Sequence, residues 1–102
     1  MRLNHSEIAG IKKAIVEFIP HENFQLFLFG SRIDESKKGG DIDLLLIVDE
    51  SFKDDLLRQK HMLLAEIKDA IGDQKVDLII ATAQEITQDP FLESIQKTAN
   101  RI

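Results

Sequence analysis

Asp41-Ile42-Asp43-Leu44-Leu45-Leu46-Ile47-Val48 constrains this chain more than any other stretch. Leu44 to Val48 is apolar throughout and does not alternate, which predicts a strand in the middle of a sheet with both faces covered. It falls far short of the ~20 apolar residues needed to span a bilayer. Two carboxylates sit at the start of this apolar strand. Asp41 and Asp43 are two apart, so on an extended strand both project from one face, about 6.6–6.8 Å apart along the backbone. A buried, unpaired carboxylate costs several kcal/mol, so the pair needs protonation, a basic partner or a cation.

The neighbouring segments supply a sheet for that strand. Ile8, Ile11, Ile15, Phe18 and Ile19 recur every three or four residues, one face of a helix. Asn4 with Glu7 forms a capping-box pattern at its start, and Pro20 cannot continue it. Phe24 to Phe29 reads as a strand buried on both faces and ended by Gly30. Gly30 to Gly40 reads as a loop with a helical turn after Ser31. Ser51 is expected to cap one helix carrying Leu56, Leu63, Ile67 and Ile71 on a single face, broken by Gly72-Asp73. Val76 to Ala81 is a third strand, and Asp89-Pro90 opens a last helix with Phe91, Ile95 and Ala99 on one face. The order predicts a sheet of three or more strands covered by helices, an α/β arrangement filling one domain over residues 1–102.

Asp77 is a third carboxylate, in an otherwise apolar strand that has room beside the second. Three carboxylates on one sheet face make an oxygen-rich site suited to Mg²⁺, which favours carboxylate and phosphate oxygens. Taken singly, Asp41 also fits a cap on the preceding loop and Asp77 an exposed strand start. Asp43, followed by five apolar residues, fits such a reading less well. Gly30-Ser31-Arg32 follows directly on a buried strand. A glycine there lets backbone approach a ligand, and a helical turn after it aims free N–H groups at an anion. Ser31 adds a hydroxyl donor and Arg32 a fork for phosphate.

Composition narrows the function classes. A net charge of −5 over 102 residues argues against binding DNA or anionic membrane by charge alone. The absence of cysteine removes disulfides, thiolate zinc sites and a cysteine nucleophile. The first residues resemble no signal peptide, so the expected location is the cytoplasm. His5, His21 and His61 have no metal-ligand spacing and receive no catalytic role. With no Tyr or Trp, only phenylalanine is available to stack on a base, and Phe27 and Phe29 read as core.

Gly30-Ser31, nine intervening residues, Asp41-Ile42-Asp43 and then Asp77 on a separate strand resemble the DNA polymerase β-type nucleotidyltransferase superfamily. Phe27 to Arg32 and Gly40 to Leu45 are most similar to its minimal nucleotidyltransferase branch. Many members of that branch are encoded beside a HEPN-domain partner as toxin–antitoxin pairs. The similarity covers the core from about Phe24 to Ala81. Ile33-Asp34-Glu35 and Gly40 depart from the usual loop but leave the carboxylates intact.

The resemblance implies a short mixed sheet flanked by helices, with the Gly-Ser turn at the start of a helix. It assigns Gly30 and Ser31 to the triphosphate, Asp41 and Asp43 to metal, and Asp77 to completing the metal site and helping to deprotonate the acceptor hydroxyl. Two Mg²⁺ ions about 3.5–4 Å apart would then serve ATP as substrate, with Arg32 neutralising phosphate charge. Lys37 and Lys38 read as a solvated loop. Since about twenty residues follow Ala81, room for one helix, the acceptor is expected to be a protein or to be presented by one. The implied activity is transfer of AMP to a hydroxyl, a tyrosine of a HEPN-type toxin, which neutralises it. Two alternatives remain: an antitoxin acting by binding alone, and an aminoglycoside-type transferase completed by a homodimer. Open sheet edges are compatible with homo- or hetero-oligomers.

Overall fold

The computed structural model describes residues 3–20, 23–30, 42–72 and 74–102. Its strands are β1 (Phe24–Phe29), β2 (Ile42–Val48), β3 (Val76–Ala81) and β4 (Asn100–Arg101). They form a mixed sheet in the order β3-β2-β1-β4. β2 runs antiparallel to β1 and parallel to β3, while β4 runs antiparallel to β1. The uniformly apolar strand is therefore central, with a neighbour on each side. The helices are α1 (His5–Val16), α2 (Glu50–Arg58), α3 (Lys60–Ile71), α4 (Ala83–Gln88) and α5 (Pro90–Thr98).

Strand periodicity divides the core in two. Leu26, Leu28, Ile42, Leu44, Leu46, Leu78 and Ile80 join the buried faces of α1, α2 and α3 on one side of the sheet. Their neighbours Phe27, Leu45, Ile47 and Ala81 point the other way and pack with Ile86 of α4 and Ile95 of α5. α1 begins with the expected capping box: Glu7 N–H donates to Asn4 Oδ1 (2.8 Å) and Asn4 N–H to Glu7 Oε1 (3.0 Å). The helix ends at Val16, before Pro20, yet the Ile19 N–H still donates to the Ile15 carbonyl (3.0 Å) and Ile19 is fully buried.

Several expectations need correction. The helix after β2 is capped by Asp49, not Ser51: Asp49 Oδ2 accepts from the Ser51 N–H (3.0 Å) and hydroxyl (2.6 Å). These bonds, that from the hydroxyl foremost, hold the Asp49 carboxyl below its usual range. The single long helix is two, meeting at Gln59 with φ −101° and ψ 10°. No glycine or proline marks the break. Leu56, Leu63, Ile67 and Ile71 still share one core, because α2 packs near β3 while α3 runs against α1. The segment after β3 is not one helix but α4, α5 and β4. Thr82 starts α4 with a second capping box, closed by Glu85. Asp89 and Pro90 do open α5, where Phe91 is 64% exposed instead of buried. The loop of residues 31–40 and its helical turn lie outside the described residues.

Two contacts tie layers together. Gly10 of α1 faces α3 so closely that a Cβ there would lie 2.8 Å from the Ala70 Cβ. Gly10→Val is therefore expected to destabilise the protein by about 1–3 kcal/mol, the usual cost of overpacking, measured by chemical denaturation. Lys53 of α2 donates to Glu85 of α4, linking helices that cover opposite sides of the sheet. That bond, followed by the Thr82 N–H bond, lowers the Glu85 pKa. A depressed carboxylate adds stability that is complete above its unfolded pKa and is lost as pH falls through the lower folded one. Glu85→Gln should thus melt below wild type at neutral pH and approach it in acid beyond the ordinary carboxylate range. A gap that persists unchanged in acid would rule out this linkage.

Candidate active site

The register places three residues in one row across the sheet: Phe29 of β1 opposite Asp43 of β2, and Asp43 opposite Asp77 of β3. Partners in register on adjacent strands project from the same face, with strands about 4.8 Å apart. The next row on that face is Phe27, Leu45 and Ile79, followed by Gln25, Ile47 and Ala81. Most of the residues in those two rows pack with the small core under α4 and α5. The row holding Asp43 and Asp77 lies at the end of the sheet where β1 finishes and β2 and β3 begin. Asp43 is half-buried and Asp77 exposed.

Gly30 completes this end. It immediately follows β1 and has φ +81°, a left-handed conformation that favours glycine. A Cβ at Gly30 would collide with Asp43 Oδ2. The backbone at the strand end thus lies directly against one carboxylate of the row. Phe29, read from sequence as core, is half-buried beside Asp43 and forms an apolar wall of the site. Only strand pairing reveals that position, since a phenylalanine in an apolar strand carries no sign of it.

Like charges facing each other on neighbouring strands repel, and a bound divalent cation reverses that cost. Two carboxylates offer hard oxygen donors, so the donor set fits Mg²⁺ or Mn²⁺. Among the described residues no three Asp, Glu, His or Cys side chains converge as a metal-binding group. Asp41, Ser31 and Arg32 lie outside the described residues, as do Lys37 and Lys38. A hollow of about 640 Å³ lies at the other end of the sheet against Phe24, Val48 and Phe52. It contains none of the acidic row, and the chemistry of the site rests on the carboxylates rather than on that hollow.

Residues 8–101 match the model of a protein family described as nucleotidyltransferase domain. No curated protein matches the chain significantly. No helix among the described residues is long and apolar enough to cross a membrane.

Asp77→Asn removes one of the two facing charges. It should raise the melting temperature slightly in metal-free buffer and remove most of the stabilisation that Mg²⁺ gives wild type. A ligand that binds only the folded state stabilises it by RT ln(1 + [L]/Kd), so the shift reads occupancy directly. An equal Mg²⁺-induced shift in the variant and wild type would take Asp77 out of the site.

Proposed function

The chain belongs to the nucleotidyltransferase domain family, and from that premise we propose that it moves AMP from ATP onto a protein hydroxyl, a tyrosine of a HEPN-type toxin. On this reading it acts as the antitoxin of that partner. The observation that carries the transferase chemistry is the in-register pair Asp43 and Asp77, with Gly30 against Asp43. The choice of acceptor is supported by the resemblance of Phe27 to Arg32 and Gly40 to Leu45 to the minimal nucleotidyltransferases.

The reaction balances as follows. The acceptor oxygen attacks the α-phosphorus of ATP, the bond from that phosphorus to the bridging oxygen breaks, and pyrophosphate leaves. Asp43 and Asp77, with Asp41, would hold divalent metal, which when bound neutralises phosphate charge and lowers the pKa of the attacking oxygen. Asp77, exposed on the edge strand, would help to take the hydroxyl proton of the acceptor. Gly30 and Ser31 would bind the triphosphate through backbone N–H groups, and Arg32 would offset its charge.

One observation favours a second reading, neutralisation by binding alone. Phe91 projects from α5 with 64% of its surface exposed, a ready contact for a partner. Label transfer separates the two. With Mg²⁺ and the toxin partner, label from the α-phosphate of ATP should appear on the partner and label from the γ-phosphate should not. Asp43→Ala should slow transfer by about a hundredfold or more, the loss typical of removing a group that stabilises transition-state charge. If Asp43→Ala neutralises the partner as well as wild type does and no label moves, binding alone is the mechanism.

A further inference from the structure

We propose that Gly30 is a positioning residue for the Asp43 carboxylate, holding it in the acidic row by leaving empty the space a side chain would take. This rests on the nucleotidyl-transfer reading of the same site and assigns Gly30 a task separate from contact with phosphate. The three atoms nearest a Cβ at position 30 all belong to Asp43: Oδ2 in collision, Cγ at 3.3 Å and Cβ at 3.6 Å. The Asp43 Cβ is at an ordinary contact distance, so a methyl group at position 30 does not push the strand away. The strand is also locked, because β2 pairs with β1 and β3 on either side of Asp43. The group nearest the added methyl is the Asp43 carboxylate, which can yield by rotation about the Asp43 side-chain bonds. The consequence of a side chain at 30 is therefore a turned carboxylate on an unmoved backbone. Metal ligands tolerate only about 0.5 Å of misplacement before function suffers.

Gly72 provides the matching control. It also has a left-handed backbone, φ +88°, but a Cβ there would meet nothing within 4 Å. Gly30→Ala and Gly72→Ala therefore both place alanine at positive φ, and only the first touches a carboxylate. Both variants and wild type would be followed by carbon NMR of the Asp43 carboxylate without metal, and by Mn²⁺ titration. The Asp43 resonance should move in Gly30→Ala and stay in Gly72→Ala. Mn²⁺ affinity should fall about tenfold or more in Gly30→Ala alone, the loss seen when the support of a metal ligand is disturbed. A wild-type Asp43 resonance with wild-type Mn²⁺ affinity in Gly30→Ala would overturn the proposal. Should Gly30→Ala not fold, Gly30→Ala/Asp43→Ala decides: recovery of folding supports a collision with the carboxylate, and continued failure overturns it. If wild type itself takes up no Mn²⁺, the metal-dependent transferase reading fails, while the metal-free Asp43 resonance still decides the positioning role.

Discussion

Everything in this structure depends on the pairing of β2 with strands on both sides. Its hydrogen bonds to β1 and β3 set the register, and the register sets which side chains face which core. Ile42, Leu44 and Leu46 are fully buried on the side of α1, α2 and α3. A slip of one residue would turn that set over and drive Asp43 into the larger core. The burial that holds the strand in place therefore also holds Asp43 opposite Asp77. Stability and the acidic row are two results of one register.

The two faces of the sheet then divide the work. The face under α1 to α3 is apolar from end to end, and it contains most of the buried side chains. The other face is mostly apolar for two rows, with Gln25 and Arg101 as polar exceptions, and acidic in the third at Asp43 and Asp77. Its cover is short: α4 and α5 close over Phe27, Leu45, Ile47 and Ala81. Where that cover ends, a carboxylate pair and the close backbone of Gly30 stand at the sheet end. The Lys53–Glu85 link lies beyond the opposite strand ends and fastens the two helical layers there.

Much of this was legible in the residues. The capping boxes at Asn4 and Thr82 are both local patterns, each closed by a glutamate three residues on. Asp89-Pro90 announced α5 because its cap and first position act through adjacent backbone. The division between α2 and α3 was not legible, since Gln59 carries no break signal and the buried spacing runs through it unbroken. Phe91 misled for a related reason. Helical spacing puts it on the face of Ile95, yet Ile95 packs in the smaller core while Phe91 stays exposed, and periodicity does not report the extent of a neighbouring layer.

The sequence by itself determined strands β1 to β3, the starts of α1 and α5, the apolar centre and the anomaly of aspartates in an apolar strand. These follow from period, caps and charge, which act over a few residues. Tertiary structure alone decided that β3 lies beside β2 in a register that sets Asp77 opposite Asp43, that Phe29 flanks them, and that Gly30 presses on the Asp43 carboxylate. Those relations join residues 13, 14 and 34 positions apart in the chain. No local preference encodes such pairs. They arise because strand hydrogen bonding and burial on two faces must be satisfied together, and only the folded sheet satisfies both.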